Sequence, residues 1–225
     1  VGQPLFHQGK VEHATFSPDG KLVATAQVDG LVRVWRLPAA QTEYDDHLLA
    51  VGYSSMRART SADGRFAVTT RFDPFGWEFS ARKCVVMDVS TGEQVGTPVA
   101  LAGSKLRDAA LSSRGELLAI ASRTKANGYS LSVRKMATGE PVGTSIKLLS
   151  DPQAIAFSPN GQEIAVYCGN GTLLLYAVAD SAMLWEAKDD RLSGGMATRS
   201  VMFTSDGRTV VTTGPDFSAV RNAED

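Results

Sequence analysis

The sequence predicts an all-β fold, a β-propeller of about five four-stranded antiparallel blades, and three observations predict it. A turn signature ending in glycine recurs five times along the 225 residues. A short apolar run follows every copy. No segment sustains the 3.6-residue apolar period of an amphipathic helix, so no helix is expected.

The turn reads FSPDG at 16–20, TSADG at 60–64, LSSRG at 111–115, FSPNG at 157–161 and FTSDG at 203–207. Its closing residues, Gly20, Gly64, Gly115, Gly161 and Gly207, are spaced 44, 51, 46 and 46 apart. Self-similarity at such a period marks a repeat architecture. Pro18 and Asp19 favour the start of a tight turn, and Gly20 supplies the positive φ that closes a hairpin without steric cost. The runs that follow are LVATA (22–26), FAVTT (66–70), LLAIA (117–121), EIAVY (163–167) and TVVTT (209–213). They are apolar on both faces, as a strand must be when its sheet is packed between two others.

A second turn, strongest at Asp29-Gly30 and Asn170-Gly171, leads into a third strand. That strand ends 15 residues beyond the first-turn glycine in three copies, at Trp35, Tyr176 and Asn222. A fourth segment repeats as TGEQVGTPVAL (91–101) and TGEPVGTSIKL (138–148), and VGQPLF (1–6) matches both from their VG onward. Four short strands per unit point to propeller blades rather than to a β-helix or an immunoglobulin-like sandwich. The expected blades span about 9–50, 51–101, 102–148, 149–193 and 194–225, with an outer strand at 1–8 and all of 1–225 forming one domain.

Composition narrows the function. Hydrophobic residues make up 43% and charged residues 21%, which suits a globular chain. Lys plus Arg is 23 against 24 for Asp plus Glu, so no bulk field draws nucleic acid or an anionic membrane. The longest apolar run, residues 173–179, is far short of the roughly 18 residues that span a bilayer. No signal-peptide pattern opens the sequence, and a cytoplasmic location is expected. Cys84 and Cys168 sit inside apolar runs and read as buried free thiols.

The first repeat resembles the WD-repeat family, with His7, FSPDG at 16–20, Thr25, Asp29-Gly30 and VRVWR at 32–36. The resemblance extends in degenerate form over the whole chain. It implies that His7, Thr25, Asp29 and Trp35 form the hydrogen-bonded tetrad that ties a loop to two strands within one blade. Such a tetrad stabilises and does no chemistry. In later copies the Trp position reads Met87, Arg134, Tyr176 and Asn222, and the His position Val51, Ala102, Leu148 and Gly194. The TGEPVG segment is similar to propellers of long bacterial multidomain chains, some with kinase domains, so attached domains outside 1–225 are envisaged. Residues 2–7 resemble an orphan outermost strand, which in the family completes the last blade. Two arrangements follow: a five-blade ring latched by 2–7, or a slice of a larger, seven-blade ring.

The resemblance also implies a scaffold that binds a protein or peptide through loops on one rim. The connection at 71–83 carries Arg71, Phe72, Phe75 and Trp77, a composition found in interface hot spots. The alternative is that Trp77 and Phe79 pack between blades. A second long connection, SRTKANG at 122–128, is basic through Arg123 and Lys125, and 188–199 is a charged linker. The innermost strands bring Glu12, His13, Arg57, Arg59, Arg107, Asp108 and Arg199, a mostly basic set in which Arg57 and Arg107 are candidates to receive an acidic peptide. TEYDDH at 42–47 reads as an acidic, solvated connection. No HExxH, GxSxG or phosphate-binding glycine motif occurs, so no catalytic residue, metal or cofactor is expected. A regulatory segment of a longer signalling protein is the alternative function, and a propeller hydrolase a more distant one.

Overall fold

The computed structural model describes residues 5, 7, 9–17, 20–28, 31–37, 46–50, 55–71, 83–100, 104–124, 128–188, 200–213 and 218–223. The chain divides into two compact units, Val1–Ala100 and Leu101–Asp225. The first holds two sheets, β1 (Val11–Phe16), β2 (Leu22–Gln27), β3 (Leu31–Arg36) and β4 (Asp46–Ala50), then β5 (Ser55–Thr60), β6 (Phe66–Arg71), β7 (Lys83–Asp88) and β8 (Gln94–Ala100). The second holds β9 (Ser104–Leu111), β10 (Leu117–Thr124), β11 (Gly128–Lys135) and β12 (Pro141–Leu148), followed by β13 (Pro152–Phe157), β14 (Glu163–Cys168), β15 (Thr172–Ala177) and β16 (Met183–Lys188). A three-stranded sheet of β17 (Ser200–Phe203), β18 (Thr209–Thr213) and β19 (Ser218–Asn222) ends it. Within each sheet every strand pairs antiparallel with the next in the chain, the build of a propeller blade. The described residues contain no helix.

The recurring turn builds the same hydrogen-bonded unit five times. Ser17, Ser61, Ser112, Ser158 and Thr204 each accept, through the side-chain oxygen, the N–H five residues on, at 2.9–3.1 Å. The carbonyl of the same residue accepts the N–H of Gly20, Gly64, Gly115, Gly161 or Gly207, at 2.8–3.0 Å. In three copies the hydroxyl also donates to the carboxylate or amide two residues on, Asp63, Asn160 or Asp206. That bond from Thr204 is the main reason the Asp206 carboxyl is held below its ordinary pKa. The turn thus satisfies these polar groups within six residues. The glycines close it at φ between 70 and 75°.

A turn of this kind fixes which residues of the next strand face which neighbour, because a one-residue slip would exchange the two faces. In the first unit Leu22, Ala24, Ala26, Val32 and Val34 pack against Ala58, Ala67, Val85 and Met87. In the second, Ala119, Ala121, Leu131 and Val133 meet Ile155, Ile164, Val166 and Leu174. The other face of that fourth sheet, through Ala165, Tyr167 and Leu175, covers Val201 and Val210. The alanines of the second strands are buried between neighbouring sheets, and β2 is buried along its whole length.

The repeated TGExVGT segment has two structural parts. Its first glycine closes the turn between third and fourth strands, where Asp88 pairs with Glu93 and Lys135 with Glu140 through N–H to carbonyl bonds of 2.8 Å. Its second, Gly143 at φ 65°, lies in a bulge of β12, where the register against β11 shifts between Leu131 and Val133. A Cβ there would collide with Ser181 Oγ. A further copy of the turn, invisible in the sequence, stands in the fourth sheet. Ala177 N–H bonds Ala182 C=O at 2.8 Å, and Ser181 takes the glycine position with φ 64°. Ser181 Oγ donates to the Thr144 carbonyl and accepts the Thr144 N–H, at 2.9 and 3.0 Å, stitching the third sheet to the fourth.

Three sequence expectations need correction. Asp46 and His47 are not in a loop; they begin β4, opposite Trp35 and Val34. The connections at 71–83 and 122–128 are shorter than they read, because Arg71, Lys83, Arg123, Thr124 and Gly128 extend the flanking strands. In the last sheet Arg221, not Asn222, occupies the position of Trp35. Arg221 lies opposite Val210 as Trp35 lies opposite Val23, because the chain from Thr212 to its partner Ala219 is one residue shorter than that from Thr25 to its partner Arg33.

Two turn glycines with nearly the same φ separate backbone strain from crowding. Gly20 has open space where a Cβ would stand, whereas a Cβ on Gly64 would strike Leu22 Cδ1. Gly20→Ala is expected to cost about 1–2 kcal/mol for the left-handed backbone alone. Gly64→Ala should cost clearly more. Equal midpoints in urea unfolding of the two variants would show that Leu22 yields freely.

Candidate functional site

Three side chains of the first blade, His7, Thr25 and Trp35, bond one another. His7 Nε2 lies 2.8 Å from Thr25 Oγ1, and Trp35 Nε1 donates to the same oxygen at 3.1 Å. With the indole N–H as donor, the threonine hydroxyl directs its own proton to His7 Nε2, so the histidine proton sits on Nδ1, 3.0 Å from the Leu5 carbonyl. The imidazole also meets the Trp35 ring edge-on, with centroids 5.1 Å apart. Gly9 N–H bonds Gln27 Oε1 at 3.1 Å, a second tie between the entering chain and β2. Asp29 lies outside the described residues. The set joins the residues before β1 to β2 and β3 and leaves no group poised to react.

In the second blade the threonine remains but its partners do not. Thr69 follows Gly64 by five residues, as Thr25 follows Gly20, yet Met87 stands where the indole would be. Its buried Oγ1 has no hydrogen-bond partner among the described residues. The same position is Ile120 and Val166 in the next two sheets, where the apolar residue suits the apolar surroundings.

The end of the third sheet is built differently. Its β10 and β11 are eight residues long, against six for β2 and β3 or for β14 and β15. The added length carries Arg123 opposite Tyr129, with the guanidinium 5.5 Å from the ring centroid. Lys105 on β9 lies directly opposite Arg123, and Leu148 opposite Tyr129. Leu148 is buried, whereas Leu149, next in the chain, is 97% exposed. Lys147 is exposed.

Arg107 does not face outward as a free cation. Its Nε donates to Asp151 Oδ1 at 2.6 Å and its Nη2 to Asp151 Oδ2, a bidentate pair reinforced by Gln153 Nε2 at 2.9 Å. Beside it the buried Asp108 accepts the Ile155 N–H at 2.9 Å. Arg107 and Asp108 therefore tie β9 to the start of the next sheet. No local pattern announces these bonds, since their partners lie 44 and 47 residues away. Arg57 on β5 is opposite Thr70, and Arg71 on β6 is opposite Lys83. Phe72, Phe75, Trp77 and Lys125 lie outside the described residues.

Cys84 and Cys168 are buried. Burial first, then the charges of Asp151 and Glu186, push the Cys168 thiol up to about 12. Among the described residues no three His, Cys, Asp or Glu side chains converge on a metal-sized site. No helix of the described residues is long and apolar enough to cross a membrane.

Two outcomes test this arrangement. Thr25→Val should lose about 1–2 kcal/mol by leaving the Trp35 and His7 groups unpaired, while Thr69→Val should be neutral or slightly stabilising. Equal losses in chemical denaturation would mean that Thr69 has a partner in solution. Iodoacetamide near neutral pH should leave Cys168 unmodified in the folded protein and label it after unfolding, read by mass spectrometry. Rapid labelling of the native thiol would contradict its burial.

A family model described as WD domain, G-beta repeat, matches residues 5–36, the stretch that holds His7, Thr25 and Trp35. No curated protein matches the sequence at a significant level.

Proposed function

We propose that the chain, whose sheets have the build of propeller blades and whose residues 5–36 match the WD-repeat model, is a WD-repeat β-propeller and a non-catalytic module that binds a protein or peptide partner at the strand ends opposite the serine turns. Propellers of this family are in general protein-interaction scaffolds. The observation that carries the reading is the division of polar groups. His7, Thr25, Trp35, Arg107 and Asp108 are consumed in ties within or between sheets. The ends of the β6–β7 and β10–β11 hairpins, by contrast, carry Arg71, Lys83, Arg123 and Tyr129 in register beyond the buried strand centres. Each connection continues with further candidates, Phe72, Phe75 and Trp77 in one and Lys125 in the other. Aromatic and arginine side chains suit partner anchoring. Arg57 belongs to the same candidate set, whereas Arg107 contributes to a contact only by giving up Asp151.

Captured partners compared between the native chain and its hairpin variants test the reading. Trp77→Ala and Arg123→Ala are each expected to reduce capture at least tenfold while the thermal unfolding midpoint stays within a few degrees. A partner retained equally by both variants would place the binding surface elsewhere on the blades. A large fall in the midpoint for Trp77→Ala would mark that residue as core.

A further inference from the structure

We infer that Asn160 and Asn170 are latent modification sites, each kept from deamidating by the hydrogen bonds of its own turn and converted to aspartate or isoaspartate when that turn opens. The sequence places asparagine directly before glycine at 127–128, 160–161 and 170–171. This pair is the most reactive setting for the chemistry, because glycine has no side chain to shield its amide nitrogen. That nitrogen attacks the asparagine Cγ, and the side-chain amide leaves as ammonia, taking the glycine N–H proton with it. A five-membered succinimide remains. Water adds to one of its two carbonyl carbons and the ring C–N bond breaks, returning a proton to the nitrogen. One opening gives aspartate, and the other gives isoaspartate, in which the main chain runs through the former side chain.

Asn160 and Asn170 are both exposed, so water reaches them and burial does not protect them. Protection falls to the hydrogen bonds. At Asn160 the Gly161 N–H is donated to the Ser158 carbonyl at 2.9 Å. The Asn160 Oδ1 accepts the Gln162 N–H at 3.0 Å and the Ser158 hydroxyl at 2.7 Å. At Asn170 the Gly171 N–H goes to the Cys168 carbonyl at 3.0 Å, and Oδ1 accepts the Thr172 N–H at 3.1 Å. The attacking nitrogen must give up its proton and the carboxamide must swing onto it, and each movement breaks one of these bonds. Reaction therefore proceeds from the opened turn, at a rate that follows the population of that state. Asn127 lies outside the described residues. The two products fit the fold differently. Asp63 and Asp206 stand at the place of Asn160 in their own turns and accept the same hydroxyl and N–H bonds, so aspartate is accommodated there. Isoaspartate instead adds a main-chain carbon between Ser158 and Glu163, whose bond starts β14 in register.

The test is peptide mapping of the full chain by mass spectrometry after incubation at mildly alkaline pH, folded and in urea, with aspartate and isoaspartate peptides separated by chromatography. Asn160 and Asn170 are expected to react at least about tenfold more slowly in the folded chain than in urea. Ser158→Ala removes the hydroxyl bond to Asn160 and keeps the backbone bond to Gly161. In that variant, folded, Asn160 should react severalfold faster and Asn170 at its native rate. If the variant unfolds instead, both sites should match their rates in urea. Equal rates with and without urea at either site would overturn the inference. So would an Asn160 in Ser158→Ala that reacts no faster than in the native chain, whether the variant is folded or not. Asn160→Asp should keep the thermal unfolding midpoint within a few degrees of the native one, and a larger fall would overturn the equivalence with Asp63 and Asp206.

Discussion

Strand register is the constraint on which the rest of this structure depends, and a hydroxyl-closed turn sets it in all five sheets. A serine or threonine oxygen takes the N–H that would otherwise be unpaired at the start of the second strand, and a left-handed glycine turns the chain back. Because second strands such as β2 are buried on both faces, the turn must deliver alternate residues to two different neighbours without error. Alanine and valine on one side and larger aliphatics on the other then interlock from sheet to sheet within each unit. A misplaced turn would put the wrong set against each neighbour, so turn chemistry and packing select the same register.

With register set locally, the polar ties between elements are free to differ from blade to blade. The first blade uses His7, Thr25 and Trp35. The second has dropped the indole, and its buried Thr69 Oγ1 has no hydrogen-bond partner among the described residues. In the second unit the ties move between sheets, to Arg107 with Asp151, Asp108 with Ile155 and Ser181 with Thr144. Ser181 holds a backbone conformation that favours glycine, and its two bonds to Thr144 offset that strain. Degeneracy of the family pattern is thus replacement of one kind of polar tie by another, and not simply loss.

The same accounting locates the surface left for recognition. Side chains committed to internal ties cannot also meet a partner without breaking them, which sets aside the first blade's triad and the Arg107 cluster. What remains includes the end of the third sheet, whose four strands are each eight residues long and carry Arg123 and Tyr129 there.

The five turns, the order of strands in each blade and the buried central runs were legible in the sequence, because each depends on contacts within a handful of residues. The Gly20, Gly64, Gly115, Gly161 and Gly207 signals carry their own hydrogen-bonding logic, and the His7, Thr25 and Trp35 bonds follow a pattern already visible at 5–36. Only the tertiary structure decided that Arg107 belongs to Asp151, that Ser181 stands in for a turn glycine, that Arg221 replaces Asn222 at the Trp35 position, and that Arg123 lies over Tyr129 at the end of an extended hairpin. Arg107 and Ser181 meet groups 44 and 37 residues away, and Arg123 and Arg221 owe their places to strand lengths and connection lengths that propensity leaves undetermined. A side chain's partner across sheets is set by how the sheets stack, and that stacking is a sum over many apolar contacts which no single stretch of sequence encodes.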